Sequence, residues 1–228
     1  MELLEAVATT RAIRRYRPEP VPAGDLATML WAASRAPSGS NRQPFRFVVL
    51  RESPAARQAK ELLAAAAQRA WSAKRRRDGY DEGTGAVASS PKARMAATMD
   101  HYVAHFAEAP VVILPCLVRY REPTPTEGAS VYPAVQNLLL AARDLGYGGA
   151  IAMWHSLCEP ALRDLLVMPD VVAIAATISI GKPLGSHGPV RRRPIGELVF
   201  EDRWDSPAPW AVDPPGTRFT QAGPPTPH

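Results

Sequence analysis

Apolar residues recur three and four apart at Leu26, Met29, Leu30 and Ala33. This is the stripe of an amphipathic helix, and Pro22 and Pro37 bracket it. A shorter stripe, Leu3, Leu4, Ala6 and Val7, predicts a brief helix at the start of the chain. Residues 45–50 are aromatic and β-branched and predict a strand. Ser53-Pro54 offers an N-cap serine and a first-turn proline for an alanine-rich helix through residues 60–71. Ser90-Pro91 repeats the device ahead of a helix over 93–108. Between the two, residues 74–89 are charged and carry glycine, and they read as a mobile connection.

Further along, 111–118 predicts a second strand. Residues 130–145 predict a long apolar helix closed by Gly146, a glycine suited to the position after a C-cap. A short strand over 149–153, a helix over 160–167 and a third long strand over 171–180 follow. Helices separate the strands without a sustained βαβ repeat, which predicts an α+β domain with a sheet covered by helices. Residues 1–204 hold these elements. From Asp205 onward the chain is rich in proline and glycine, and 205–228 reads as an extended or disordered tail.

Composition narrows the class. The chain has 228 residues, 46% hydrophobic and 21% charged, enough for one domain with a core. No apolar run reaches the ~18 residues of a membrane span, and the start lacks the form of a secretory signal, so a cytoplasmic protein is expected. Cys116 and Cys158 sit in apolar surroundings and read as two buried free thiols. The net charge of +5 favours an anionic ligand without choosing between a small phosphate compound and nucleic acid.

Three segments carry candidate chemistry. Thr10-Arg11-Ala12-Ile13-Arg14-Arg15-Tyr16-Arg17 packs four arginines into seven residues, and arginine forks suit phosphate oxygens and ring carbonyls. The run from Ala36 to Phe45 includes Pro37, Ser38, Gly39, Asn41 and Gln43, small and polar groups able to bring backbone donors to a ligand. The third segment is Gly188-Pro189-Val190-Arg191-Arg192-Arg193-Pro194. Each alone is equally a solvated loop; together they could converge on one anion. Walker A, Rossmann and nucleophile-elbow motifs are absent, and so is a recognisable nucleic-acid motif. His101 and His105 have helical zinc spacing but no third ligand nearby.

These segments, in this order, resemble the nitroreductase family of flavoproteins over about residues 6–204. Thr10 to Tyr16 with Pro18 to Pro22 is similar to the family's N-terminal flavin segment. Ala36-Pro37-Ser38-Gly39 with Asn41 and Gln43-Pro44-Phe45 is similar to its second signature, the most specific match. Gln136 to Ala142 with Leu145-Gly146-Tyr147-Gly148 resembles its central helix, and Ile180 to Pro183, Arg191 to Pro194 and Trp204 its C-terminal segment.

The resemblance implies a three-layer α+β sandwich with a mostly antiparallel central sheet flanked by helices. It also implies an entwined homodimer with FMN in pockets built from both subunits. Arg11, the amide of Ala12, Arg192 and Arg193 are then expected near the FMN phosphate, and Arg14 at the pyrimidine side of the ring. Pro37, Ser38, Gly39 and Asn41 should line the flavin, and the backbone of Ile151, Ala152 and Met153 should pass N5 and O4. Thr10 and Ala12 replace a frequent arginine and serine, so the phosphate contacts depart from the family pattern. The implied activity passes hydride from NADPH or NADH through FMN to a small aromatic acceptor such as a nitroaromatic or quinone, by a ping-pong cycle. Flavin fragmentation, reductive dehalogenation and non-catalytic flavin storage stand as alternatives. Residues 74–89 and 91–108 should roof the pocket, with Trp71, Tyr80, Tyr102 and Phe106 as stacking or packing residues. Neither nucleic acid nor membrane is expected as a partner.

Overall fold

The computed structural model describes residues 1–220. Six α-helices occur among the described residues: α1 (Leu3–Thr9), α2 (Ala23–Ser34), α3 (Pro54–Arg77), α4 (Pro91–Ala104), α5 (Tyr132–Asp144) and α6 (Glu159–Leu166). The strands are β1 (Phe45–Leu50), β2 (Val111–Val118), β3 (Gly148–Ala152), β4 (Val172–Ile174), β5 (Thr177–Gly181), β6 (Arg191–Arg192) and β7 (Arg218–Phe219). The main sheet runs β1-β2-β5-β3, with β4 also paired to β2, and all its pairings are antiparallel. β6 and β7 form a separate parallel ribbon.

β2 is the centre of the molecule, and its side chains alternate between two cores. Val111, Ile113 and Leu117 face α2 and α5, meeting Leu26, Met29, Ala33, Val135 and Leu138. Val112, Leu114 and Cys116 face α3, α4 and α6, meeting Ala59, Leu63, Tyr102, Phe106 and Leu162. A helix–sheet–helix sandwich results, the α+β arrangement expected. Among the described residues no helix is long and apolar enough to cross a membrane. Cys116 and Cys158 are free and buried, and burial pushes the Cys116 thiol up to about 11.

Local signals explain most boundaries. The Ser53 hydroxyl accepts from the Ala56 amide at 3.1 Å, and Ser90 does the same for Ala93 at 3.0 Å. After α5, Gly146 takes φ +80°, which suits glycine.

Two expectations need correction. Residues 171–180 are not one strand. β5 pairs with β2 in the register Ile113↔Ile178, whereas β4 pairs as Cys116↔Ile174. From 113 to 116 is three steps and from 178 to 174 is four, so one extra residue interrupts the ladder, as in a bulge. It falls opposite Pro115, which has no amide hydrogen to donate. Nor is 74–89 a loose connection throughout. α3 continues to Arg77, and the Arg75 guanidinium grips Asp81 at 2.6 Å and Asp100 at 2.5 Å. That fork ties the end of α3, the next loop and α4 together.

Beyond Asp205 the described chain folds back on what precedes it. The Glu201 amide donates to the Ser206 carbonyl at 2.9 Å, and the Trp210 indole donates to Glu201 at 3.0 Å. The last part of the expected tail, 221–228, lies outside the described residues.

Candidate functional site

A cleft of about 820 Å³ opens where α1 and residues 213–218 meet the β3 edge of the sheet. Leu4, Val7 and Ala8 of α1 form one side, Gln136 and Leu139 of α5 another, and Gly149, Ala150 and Ile151 of β3 the floor. Pro189, Val190 and Arg192 lead into the ribbon, and residues 213–218 close the remaining wall. Between α1 and the sheet, Thr10, Arg11 and Ala12 line the rim.

The chain reaches this position for traceable reasons. The Ile13 amide donates to the Gly149 carbonyl at 2.9 Å, and the Arg17 amide to Lys182 at 2.9 Å, so residues 13–17 run beside the sheet as an extended segment. Ile13 turns into the core, and Tyr16 passes under the sheet. There its hydroxyl donates to the Ile13 carbonyl at 2.6 Å and meets the Ser179 hydroxyl at 2.7 Å. The Tyr102 hydroxyl meets the same serine at 2.6 Å. Burial raises both phenols: Tyr102 to about 12, and Tyr16 well above its ordinary value. Two neutral tyrosines and a serine therefore anchor the arginine-rich segment. The Thr10 hydroxyl bonds back to the Ala6 carbonyl at 2.7 Å, closing α1 rather than facing a ligand.

Of the residues singled out from the sequence, the fold gathers Arg11, Ala12, Ile151 and Arg192 around this cleft. The others lie off its lining. The Arg14 guanidinium sits 6.0 Å from the Tyr102 ring centre. Ala152 and Met153 continue past the floor, Met153 half exposed. Arg193 turns to Glu197 at 3.1 Å.

Pro37, Ser38, Gly39 and Asn41 form a separate turn near the start of α5, where the Gly39 amide donates to the Ser130 hydroxyl at 3.3 Å. Ser40, Asn41 and Gln43 all adopt left-handed φ near +50°, a costly backbone for such residues. The Ser38 hydroxyl accepts from the Gln43 amide at 2.9 Å and holds the turn in that shape.

Trp71, Tyr102 and Phe106 are buried in helix packing, and Tyr80 sets its edge against Trp71 at 5.0 Å. His101 and His105 stack at 4.4 Å with His105 on Glu108, and among the described residues no group of three metal-ligating side chains forms.

The sequence reading missed α1 as a wall, Gln136 and Leu139 as lining, and the whole of 213–218. A Pro-Pro-Gly-Thr run signals a tight turn, but nothing near it in sequence says what the turn will face.

The donor set suits a ligand with an anionic end and a flat apolar body. Arg11, Arg192 and Gln136 line the same cleft as Leu139, Ile151 and Val190. A flavin nucleotide has that division of polarity, so the residues fit FMN.

Comparison with known proteins gives the same direction. The family model "Nitroreductase family" matches residues 7–182. A protein of Archaeoglobus fulgidus, provisionally named an NADH dehydrogenase/NAD(P)H nitroreductase, is 28% identical over 188 residues, covering 80% of this chain and 86% of its own. A provisionally assigned nitroreductase from Desulfovibrio desulfuricans, solved in complex with FMN, superposes with a TM-score of 0.63 at 27% identity over 90% of this chain and 98% of that one. A mutant of the FMN and NADPH-dependent nitroreductase NfnB shares the fold, with a TM-score of 0.67 at 20% identity over 90% of this chain and 100% of that one.

Proposed function

Because the chain belongs to the nitroreductase family of flavin-dependent oxidoreductases, we propose that it binds FMN in the cleft between α1, β3 and the β6–β7 ribbon and passes hydride from NADPH or NADH to a nitroaromatic, quinone or similar acceptor. The observation that carries this reading is that Arg11 and Arg192 line the same cleft as the apolar Leu139 and Ile151. Bound FMN would supply the hydride chemistry itself, accepting and returning two electrons at N5 in a ping-pong cycle.

The chain's own contribution is binding, orientation and charge. Arg11 and Arg192 neutralise the phosphate and fix which end of the nucleotide enters. Leu139, Ile151 and Val190 give the ring an apolar seat and keep water from it. Arg14 lies off the cleft lining beside Tyr102, and the role at the pyrimidine side, where negative charge grows on reduction, rests on the family resemblance alone.

The working unit in this reading is a homodimer in the cytoplasm. Leu3, Leu4 and Val7 of α1 and Trp31 of α2 are exposed, as are Trp204 and Trp210 farther on. Apolar groups this large favour a second protein surface over water. The strained Ser38–Gln43 turn lies off its own chain's cleft and is free to serve the partner's. Two buried free thiols suit a reducing compartment.

The test is an absorbance spectrum of the purified protein, taken before and after anaerobic addition of NADPH or NADH. Flavin absorbance that bleaches with either donor and returns on adding a nitroaromatic or quinone is the expected result. Flavin that stays oxidised with both donors would leave binding without turnover and overturn the reductase reading.

A further inference from the structure

Three arginines line the cleft: Arg11 lies inside the family match, and Arg192 and Arg218 lie beyond it. The third, Arg218, arrives on β7. It is carried there by a turn whose chemistry is legible. The Thr217 amide donates to the Pro214 carbonyl at 3.3 Å, and its hydroxyl donates to the same oxygen at 2.7 Å. Pro215 and Gly216 occupy the two central positions, and Gly216 has φ +83°. Proline followed by a glycine of positive φ is what a type II turn requires.

After the turn the chain is fixed through its backbone. Arg218 registers with Arg191 and Phe219 with Arg192, and the Thr220 amide donates to the Arg192 carbonyl at 2.9 Å. On the near side, the Asp213 carboxylate accepts from the Ile195 amide at 3.0 Å, so the only carboxylate lining the cleft among the described residues is engaged by the main chain. Arg11, Arg192 and Arg218 have no carboxylate partner among the described residues. The Arg192 guanidinium donates to the Arg191 carbonyl at 2.9 Å, so three guanidinium groups without a carboxylate partner line one cleft, a set suited to an anion of more than one charge.

We infer that Arg218 is a phosphate-binding residue, and that the 213–220 strap forms part of the flavin nucleotide site by adding a third guanidinium to Arg11 and Arg192. The inference rests on the FMN reading above and extends it to a segment outside the family match. The group recognised is a phosphomonoester. The phosphates of the nicotinamide donor are the competing source, and the experiment separates the two.

The full chain is freed of flavin, and FMN and riboflavin binding are measured by fluorescence for the parent, Arg218→Ala and Arg218→Lys. Because the ladder uses main-chain atoms, truncating the side chain leaves the strap in place. Arg218→Ala is expected to weaken FMN by roughly ten- to hundred-fold, the range for a lost charge-assisted hydrogen bond. Riboflavin, which has no phosphate, should bind as before, and Arg218→Lys should restore part of the FMN affinity. Equal weakening of both flavins would make Arg218 a structural residue and overturn the assignment. Unchanged FMN binding with a raised KM for NADPH would also overturn it, moving the contact to the donor. A parent that binds neither flavin would overturn the FMN reading itself, an outcome distinct because it needs no variant.

Discussion

Three consecutive arginines, 191 to 193, have the same chemistry and three different surroundings. Arg192 lines the cleft, Arg193 is paired with Glu197 at 3.1 Å, and Arg191 is exposed. Arg192→Ala is therefore expected to weaken FMN by about ten-fold or more, while Arg193→Ala changes it by less than about two-fold. Flavin fluorescence titration reads both, and equal losses would contradict the assignment of Arg192 alone. The arginine run was legible as a phosphate candidate from the sequence. Which member lines the cleft was not, because a two-residue strand paired to a distant segment sets it.

His155 makes a second residue-scale case. It is buried, with Nδ1 3.4 Å from the Thr177 hydroxyl, and burial pushes its pKa below the ordinary histidine value, with Glu159 opposing. The unfolded chain takes up the proton more readily than the folded one. The stability this histidine contributes is thus complete above the ordinary value of about 6.5 and lost as pH falls through the folded value. Thermal melts between about pH 5 and 8 should be flat at the upper end and fall at the lower. His155→Gln should make that fall shallower. Some slope should remain, because His187 is shifted in the same direction by burial. An unchanged slope in the variant would rule His155 out as a contributor.

Elements whose signals lie within their own few residues were readable in advance. Ser53-Pro54 and Ser90-Pro91 start α3 and α4 as expected, and Ser53→Ala should cost about 1 kcal/mol in urea unfolding. β1 and β2 fell where aromatic and β-branched runs placed them. The break between β4 and β5 was hidden because its cause, Pro115, sits on the neighbouring strand. The length of α3 was hidden for a similar reason, since Arg75 finds its carboxylates only after the chain has turned.

The bonds among Tyr16, Ser179 and Tyr102 join three elements remote in sequence, and they give a prediction at this scale. Ser179→Ala leaves Tyr16 its bond to the Ile13 carbonyl and leaves Tyr102 only the Tyr16 hydroxyl as partner. It should cost about 1 kcal/mol, the size of one lost buried hydrogen bond. Adding Tyr102→Phe should recover part of that loss. A double variant no more stable than the single one would show that the serine acts by packing instead.

At the scale of the molecule, the layered α+β plan followed from the order and periods of the elements, and the sheet came out antiparallel as the family resemblance implied. The cleft was only half legible. Its two family-like arginine segments could be named, but α1 and the 213–218 wall could not, because only closure of the whole chain brings them there. The exposed leucines of α1 and the exposed tryptophans give the prediction for assembly. Sedimentation at micromolar protein should find a particle about twice the 24.7 kDa chain mass. Replacing Leu3, Leu4 and Val7 together with serine should shift it toward the single chain. A parent that stays single with flavin bound would remove the dimer from the proposal.

The cleft draws on Leu4 at one extreme of the described chain and Arg218 at the other, with the sheet between. A ligand held there touches α1 and β7, the outermost described elements, so a half-folded molecule has no seat for it. Free energy of binding is then shared by the complete molecule, and saturating ligand raises the melting point as a whole. For a preparation carrying a coloured cofactor, the ratio of visible to ultraviolet absorbance becomes a census of finished molecules, separating those with both ends in place from those that merely contain the right mass of protein.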